Sequence, residues 1–160
     1  LGRREREAGL DFTDGGMAKG RALKGELGGD DGVKDVKAAV AKIGGAGKIG
    51  IVGFCMGGSV AWFAAANSPV SAAVCYYGGD ILAHETLSPN CPVMFHWGAE
   101  DHGIPLDGVH KVEAANPGIP SFIYEGAGHG FSCSRRGSYH KEAAGVAMGR
   151  TLEFLSENIG

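Results

Sequence analysis

The sequence predicts an α/β fold, a three-layer αβα sandwich around a mostly parallel sheet. Three observations predict it. From about residue 31 onward, short apolar runs alternate with helical patterns, the order of strand–helix–strand units with right-handed crossovers. The apolar runs are not interleaved with polar residues, as expected of strands covered on both faces. At 160 residues and 16.5 kDa the chain suits one domain.

Residues 1–32 are broken by glycines and read mostly as loop, with a short helix over residues 17–27. Residues 1–30 are therefore set apart as a poorly defined N-terminal segment, and 31–160 as the domain. The first clear helix covers 31–43, where Val33, Val36, Val40 and Ile43 form one stripe. Asp30 or Asp31 can cap it, and Gly44 and Gly45 stop it. Residues 48–54 read as a buried strand and 57–67 as a helix apolar nearly all round. Strands follow at 71–77, 92–97 and 121–125, the second opened by Pro92. A short helix at 106–115 separates the last two. A terminal helix covers 137–158, its inner side assigned to Val146, Leu152, Leu155 and Ile159.

Composition removes several function classes. Fifteen Lys and Arg against 18 Asp and Glu give a net charge of −3, so no basic stripe for nucleic acid or an anionic membrane is expected. No apolar run approaches the roughly 18 residues a membrane span needs. Cys55, Cys75, Cys91 and Cys133 form no C-x-x-C pair, which speaks against a zinc or thioredoxin-like site. The charged stretch at Arg3, Arg4, Glu5, Arg6 and Glu7 has no apolar signal core. A cytoplasmic location with reduced thiols is expected. A first residue Leu1 rather than Met leaves open a true start upstream.

The sharpest chemical signal is Gly53-Phe54-Cys55-Met56-Gly57-Gly58. It joins the end of an apolar strand to an apolar helix, the context of a nucleophile elbow. A side chain on so sharp a turn points out from the carboxyl edge of the sheet. The turn needs strained backbone and close neighbours, so flanking positions require glycine. The following helix aims its first N–H groups at the reacting centre, which makes the Met56 N–H a candidate oxyanion donor. The elbow residue is Cys, not Ser. A helix N-terminus or a nearby His lowers a thiol's pKa from its usual value near 8.5. Taken alone, the motif also fits a buried, inert cysteine.

Two further loops decide between these. Trp97-Gly98-Ala99-Glu100-Asp101 follows the third strand, and Gly126-Ala127-Gly128-His129-Gly130-Phe131 follows the fourth. Both fall just past strand C-termini, the edge where open α/β sheets place their sites. Nucleophile, acid and base thus occur in the order Cys55, Asp101, His129. Asp101 can orient the imidazole, and His129 can take and return a proton.

With these residues in view, the chain resembles the dienelactone hydrolase family of the α/β-hydrolase fold. The resembling stretches are 49–66, 92–101, 124–131 and 139–155, including Arg150-Thr151-Leu152-Glu153-Phe154, within an overall span of about 31–158. The resemblance implies Cys55, Asp101 and His129 as a triad. It implies hydrolysis of a small carboxylic ester or enol-lactone through an acyl-cysteine, with no metal or organic cofactor. It also implies strands and helices before residue 31 that this chain does not display. In the family those elements carry a second oxyanion N–H, a Glu that contacts the resting Cys and a carboxylate-binding Arg, none of which has a match here. The family's other carboxylate-binding Arg lies four residues after the catalytic His, where this chain has Cys133. Arg135 and Arg136 stand nearby as substrate-binding candidates. Lacking those strands, the 48–54 strand is expected at a sheet edge, where self-association through an uncovered edge follows.

The remaining candidates are weaker. Trp97 and Tyr77 are candidate pocket walls, with core packing as the plainer reading. Tyr76, Trp62 and Phe63 read as packing residues, and Cys75 and Cys91 as inert thiols. His84, His96, His102, His110 and His140 show no ligand spacing and are assigned surface or loop positions. Two other functions remain open at this point. One is a non-catalytic binding domain of the same fold, marked by a reactive thiol without turnover. The other is a redox-sensing thiol, for which Cys133 is the only plausible resolving partner.

Overall fold

A computed structural model describes residues 9–160 apart from 12, 28 and 29. Nine regular elements follow one another: α1 (Asp14–Gly25), α2 (Asp31–Ile43), β1 (Gly50–Phe54), α3 (Met56–Asn67), β2 (Ala72–Tyr76), β3 (Val93–Gly98), α4 (Leu106–Ala115), β4 (Ser121–Tyr124) and α5 (Lys141–Ile159). Short 3-10 turns lie at Gly44–Ala46 and Gly79–Ala83. The strands form one sheet in the order β1-β2-β3-β4, with every pairing parallel. This is the α/β architecture expected from the alternating pattern.

Two layers of helix enclose the sheet. On one face, α3 packs on β1 and β2, and α4 packs on the 79–83 turn that itself covers α3. Trp62 of α3 lies against Phe95 at 5.3 Å between ring centres and donates its indole N–H to the His84 carbonyl. The alanines 61, 64 and 65 let α3 come close to the strands and are fully buried. On the other face α5 packs on β2 and β3. Strands β2 and β3 are buried along their whole length, which their unbroken apolar runs require.

Four expectations need correction. Strand β1 is not covered on both faces: Val52 and Phe54 are 38% and 43% exposed, because β1 is the last strand of the sheet and nothing described lies beyond it. The short helix expected over 17–27 instead covers Asp14–Gly25, with the Thr13 hydroxyl accepting from the Gly16 N–H to start α1. Helix α5 begins at Lys141, where the His140 ring accepts from the Ala143 N–H; residues 137–140 lie outside it. Its inner face includes Ala143, Ala147, Thr151 and Phe154, with Leu155 and Ile159 packed against the core as expected, while Val146 and Leu152 are 50% and 61% exposed.

The inner face of α5 is small and polar for a reason visible in the sheet. His96 is not at the surface; it is fully buried on β3. Its ring bonds to the Tyr124 hydroxyl at 2.9 Å and the Thr151 hydroxyl at 3.1 Å, and Thr151 also meets the Tyr76 hydroxyl at 2.7 Å. A large apolar residue at position 151 would orphan these buried groups. Among the described residues, no helix is long and apolar enough to cross a membrane.

Candidate active site

The elbow forms where the sequence requires it. Cys55 stands between β1 and α3 with φ 55° and ψ −119°, a left-handed backbone rare outside glycine. The strain is fixed by neighbours. The Cys55 N–H continues the β-ladder to the Tyr76 carbonyl at 3.0 Å, and its carbonyl already accepts from Gly58 at 2.9 Å as the first bond of α3. A side chain at Gly53 would collide with the Gly57 carbonyl, and one at Gly58 with the Tyr76 carbonyl. Glycine at these two positions is what lets the helix start against the strand. The result is an exposed thiol above the carboxyl edge.

The other two loops are stitched together. Past β3, the Ala99 N–H donates to the Tyr124 carbonyl and the Glu100 N–H to the Ala127 carbonyl, at 3.0 and 2.9 Å. Asp101 is buried, and its Oδ1 accepts the Gly103 N–H at 2.9 Å. Its Oδ2 meets His129 Nδ1 at 2.7 Å. On the far side of the ring, His129 Nε2 lies 3.0 Å from Cys55 Sγ. One imidazole thus bridges a buried carboxylate and an exposed sulfur.

The charges follow from these contacts. The Asp101 hydrogen bond, and then that of Cys55, raise His129 to about 9 against the lowering effect of burial. The His129 hydrogen bond lowers the Cys55 thiol most, aided by the Met56 backbone N–H, while burial works against them. Both shifts favour thiolate and imidazolium together. The Met56 N–H lies beside the sulfur.

The profile of the dienelactone hydrolase family matches residues 15–159. The chain belongs to this family. Over 115 residues it is 36% identical to the carboxymethylenebutenolidase of Pseudomonas putida, a match covering 69% of this chain and 49% of that protein. The chain therefore spans about half the length of the curated relatives it matches. A Klebsiella pneumoniae structure assigned as a dienelactone hydrolase shares 32% identity and a TM-score of 0.65, over 78% of this chain and 58% of that one. A Pyrococcus furiosus esterase at 16% identity, TM-score 0.68, shares the fold over 84% of this chain and 65% of its own.

Within this dienelactone hydrolase scaffold the other sequence candidates separate. Trp97 is no pocket wall: it is fully buried, stacked near Phe95, and donates its indole N–H to the Ser121 hydroxyl at 3.1 Å. Arg135 is exposed and interacts electrostatically with Asp11. Arg136 folds over Gly130, next to His129. Tyr77 reaches the site, its ring 5.2 Å from that of His129. Cys75 is buried, and burial pushes its thiol well above the ordinary range.

Sequence reading missed one contributor. Lys24 at the end of α1 acts on Cys55 by its charge and pairs with Asp80 at 3.7 Å. The sequence predicts a short helix over 17–27 there, but not its start at Asp14. Its sequence signals were Thr13 as an N-cap and Asp14 in the first turn.

Proposed function

We propose that the chain carries the catalytic residues of a cysteine-dependent carboxylic ester or lactone hydrolase. The observation that carries this reading is the unbroken line from Asp101 through His129 to Cys55, at 2.7 and 3.0 Å, on three loops at one sheet edge. Family relatives named carboxymethylenebutenolidase support an ester or lactone as the small-molecule substrate.

The steps follow from the resting charges. The Cys55 thiolate attacks the carbonyl carbon, and the carbonyl π electrons move onto oxygen. The Met56 N–H, at the start of α3, holds that oxyanion. Collapse breaks the acyl C–O bond, and the leaving oxygen takes the proton from His129 Nε2. In a lactone the leaving oxygen stays tethered. His129, now neutral, takes a proton from water as the water attacks the thioester. The second collapse returns the Cys55 thiolate, restores the imidazolium and releases the acid. Asp101 holds the Nδ1 proton throughout and stabilises each imidazolium.

Hydrolysis of p-nitrophenyl acetate by wild type beside Cys55→Ala tests the reading. We expect turnover that Cys55→Ala abolishes, with an acetyl adduct on Cys55 by mass spectrometry. Equal rates in the two proteins overturn it. A thiol that alkylates rapidly without turnover on any ester would instead favour a binding domain.

A further inference from the structure

The described residues contain two non-glycine positions with positive φ. One is Cys55; the other is Tyr77, at 37°. Such a backbone is unfavourable for an L-residue and persists only where its surroundings impose it. Glycine follows immediately at position 78, yet the turn is made at the tyrosine.

The consequence is a reversal of side-chain direction. Phe54, Tyr76 and His96 align across the sheet on the α5 face. A regular strand sends the next residue to the opposite face. Tyr77 keeps its ladder bond, donating to the His96 carbonyl at 2.8 Å, but its ring joins those of Phe54 and Tyr76, at 6.3 and 5.9 Å. There it also meets Phe131 at 5.4 Å and His129 at 5.2 Å, with the imidazole inclined at 60°. The ring is 3% exposed. Its hydroxyl shares a hydrogen bond with the Ser132 hydroxyl, three residues beyond His129.

His129 needs such support. It stands between Gly128 and Gly130, the latter with φ 78°; the Ser138 hydroxyl ties its carbonyl at 2.7 Å, which holds the backbone but not the ring. Both ring nitrogens are engaged, but the imidazole can still rock about the line joining them. Its side chain is 31% exposed, leaving Tyr77 to pack the covered side. We propose that Tyr77 is a positioning residue for His129: its left-handed backbone brings the ring against the imidazole, and its hydroxyl fastens the His129 loop to the end of β2. The proposal rests on the hydrolase reading given above.

The test uses Tyr77→Phe, Ser132→Ala, their double variant and Tyr77→Leu. Two readouts are taken: kcat and KM on p-nitrophenyl acetate, and the pH midpoint for alkylation of Cys55 by iodoacetamide. Tyr77→Phe and Ser132→Ala delete the two ends of one hydrogen bond. Each is expected to lower kcat about fivefold with KM within about twofold, and the double variant to be no worse than either. Tyr77→Leu, which loses the ring as well, is expected to lower kcat about tenfold or more and to move the alkylation midpoint up by about 0.5 unit or more. Wild-type kcat and midpoint in a folded Tyr77→Leu overturn the proposal. Should Tyr77→Leu fail to fold, the pair decides: additive effects of Tyr77→Phe and Ser132→Ala, or none, overturn it. Absence of wild-type turnover overturns the hydrolase reading, while the midpoints still report on Tyr77. A wild-type thiol that titrates as a free cysteine overturns both.

Discussion

Two histidines of this molecule stand at neighbouring strands and hold their protons in opposite ways. His129, on the loop after β4, is raised to about 9, first by its hydrogen bond to Asp101. His96, in the middle of the sheet, is lowered to about 3, first by burial and then by the Arg150 charge. Both rings use both nitrogens. The difference is in the partners. His129 meets a carboxylate and a thiol, two groups that gain from a positive ring. His96 meets two hydroxyls, which satisfy a neutral ring and give nothing to offset a buried charge. Hydrogen bonding alone does not set a histidine's charge; the charge of what it bonds to does.

The contrast can be broken most forcefully at Asp101. Asp101→Asn keeps the shape and removes the charge that raises His129. We expect kcat on p-nitrophenyl acetate to fall by about 10²–10⁴, with circular dichroism unchanged. A loss under threefold would mean that the carboxylate does not steady the imidazolium.

At His96 the same logic governs stability rather than rate. Its folded pKa lies below the unfolded value of 6.5. Below that pH the unfolded chain takes up a proton that the native chain refuses. The group's contribution is therefore complete above pH 6.5 and is lost as pH falls toward 3. Urea titrations should show stability falling by up to about 1.4 kcal/mol per pH unit from this group alone. His96→Phe should cost about 1–3 kcal/mol at neutral pH, yet flatten the acid limb. An acid limb as steep as wild type would show that His96 is not what titrates. The sign for His129 is the reverse: its share is full below pH 6.5 and is lost as pH rises through about 9.

The smallest expected effect lies at β1, the edge strand. Its exposed Val52 and Phe54 present apolar side chains beside an unpaired backbone edge. We expect concentration-dependent self-association in sedimentation velocity, reduced by Val52→Lys. A wild-type chain that stays monomeric at every concentration removes that expectation.

Much of this was legible in the sequence. The helices at 31–43 and 106–115 have the expected boundaries, although neither Asp30 nor Asp31 caps the first through its side chain. The positions of Cys55, Asp101 and His129 just past strand ends follow from apolar runs and glycines, which are local signals. What escaped was non-local. Of the stripe Val146, Leu152, Leu155 and Ile159, the last two do pack inward by β1, but over β2 and β3 the sheet offers hydroxyls and an imidazole, so Thr151 and small alanines turn inward in place of Val146 and Leu152. His96 looked like any histidine because its partners stand 28 and 55 residues away. Helix α1 was expected over 17–27, but glycines that lower propensity obscured its capped start at Thr13 and its docking through Leu23. Tyr77 was a candidate from the sequence, but no residue type announces its left-handed backbone.

The central claim is that Cys55 rests as a thiolate beside a protonated His129. Thiolate absorbance near 240 nm, titrated in wild type and subtracted from Cys55→Ala, measures this directly. The account predicts a one-thiolate difference that develops below the usual thiol range near 8.5, because the His129 hydrogen bond lowers the Cys55 thiol. A difference that emerges only as pH rises through that range would contradict it.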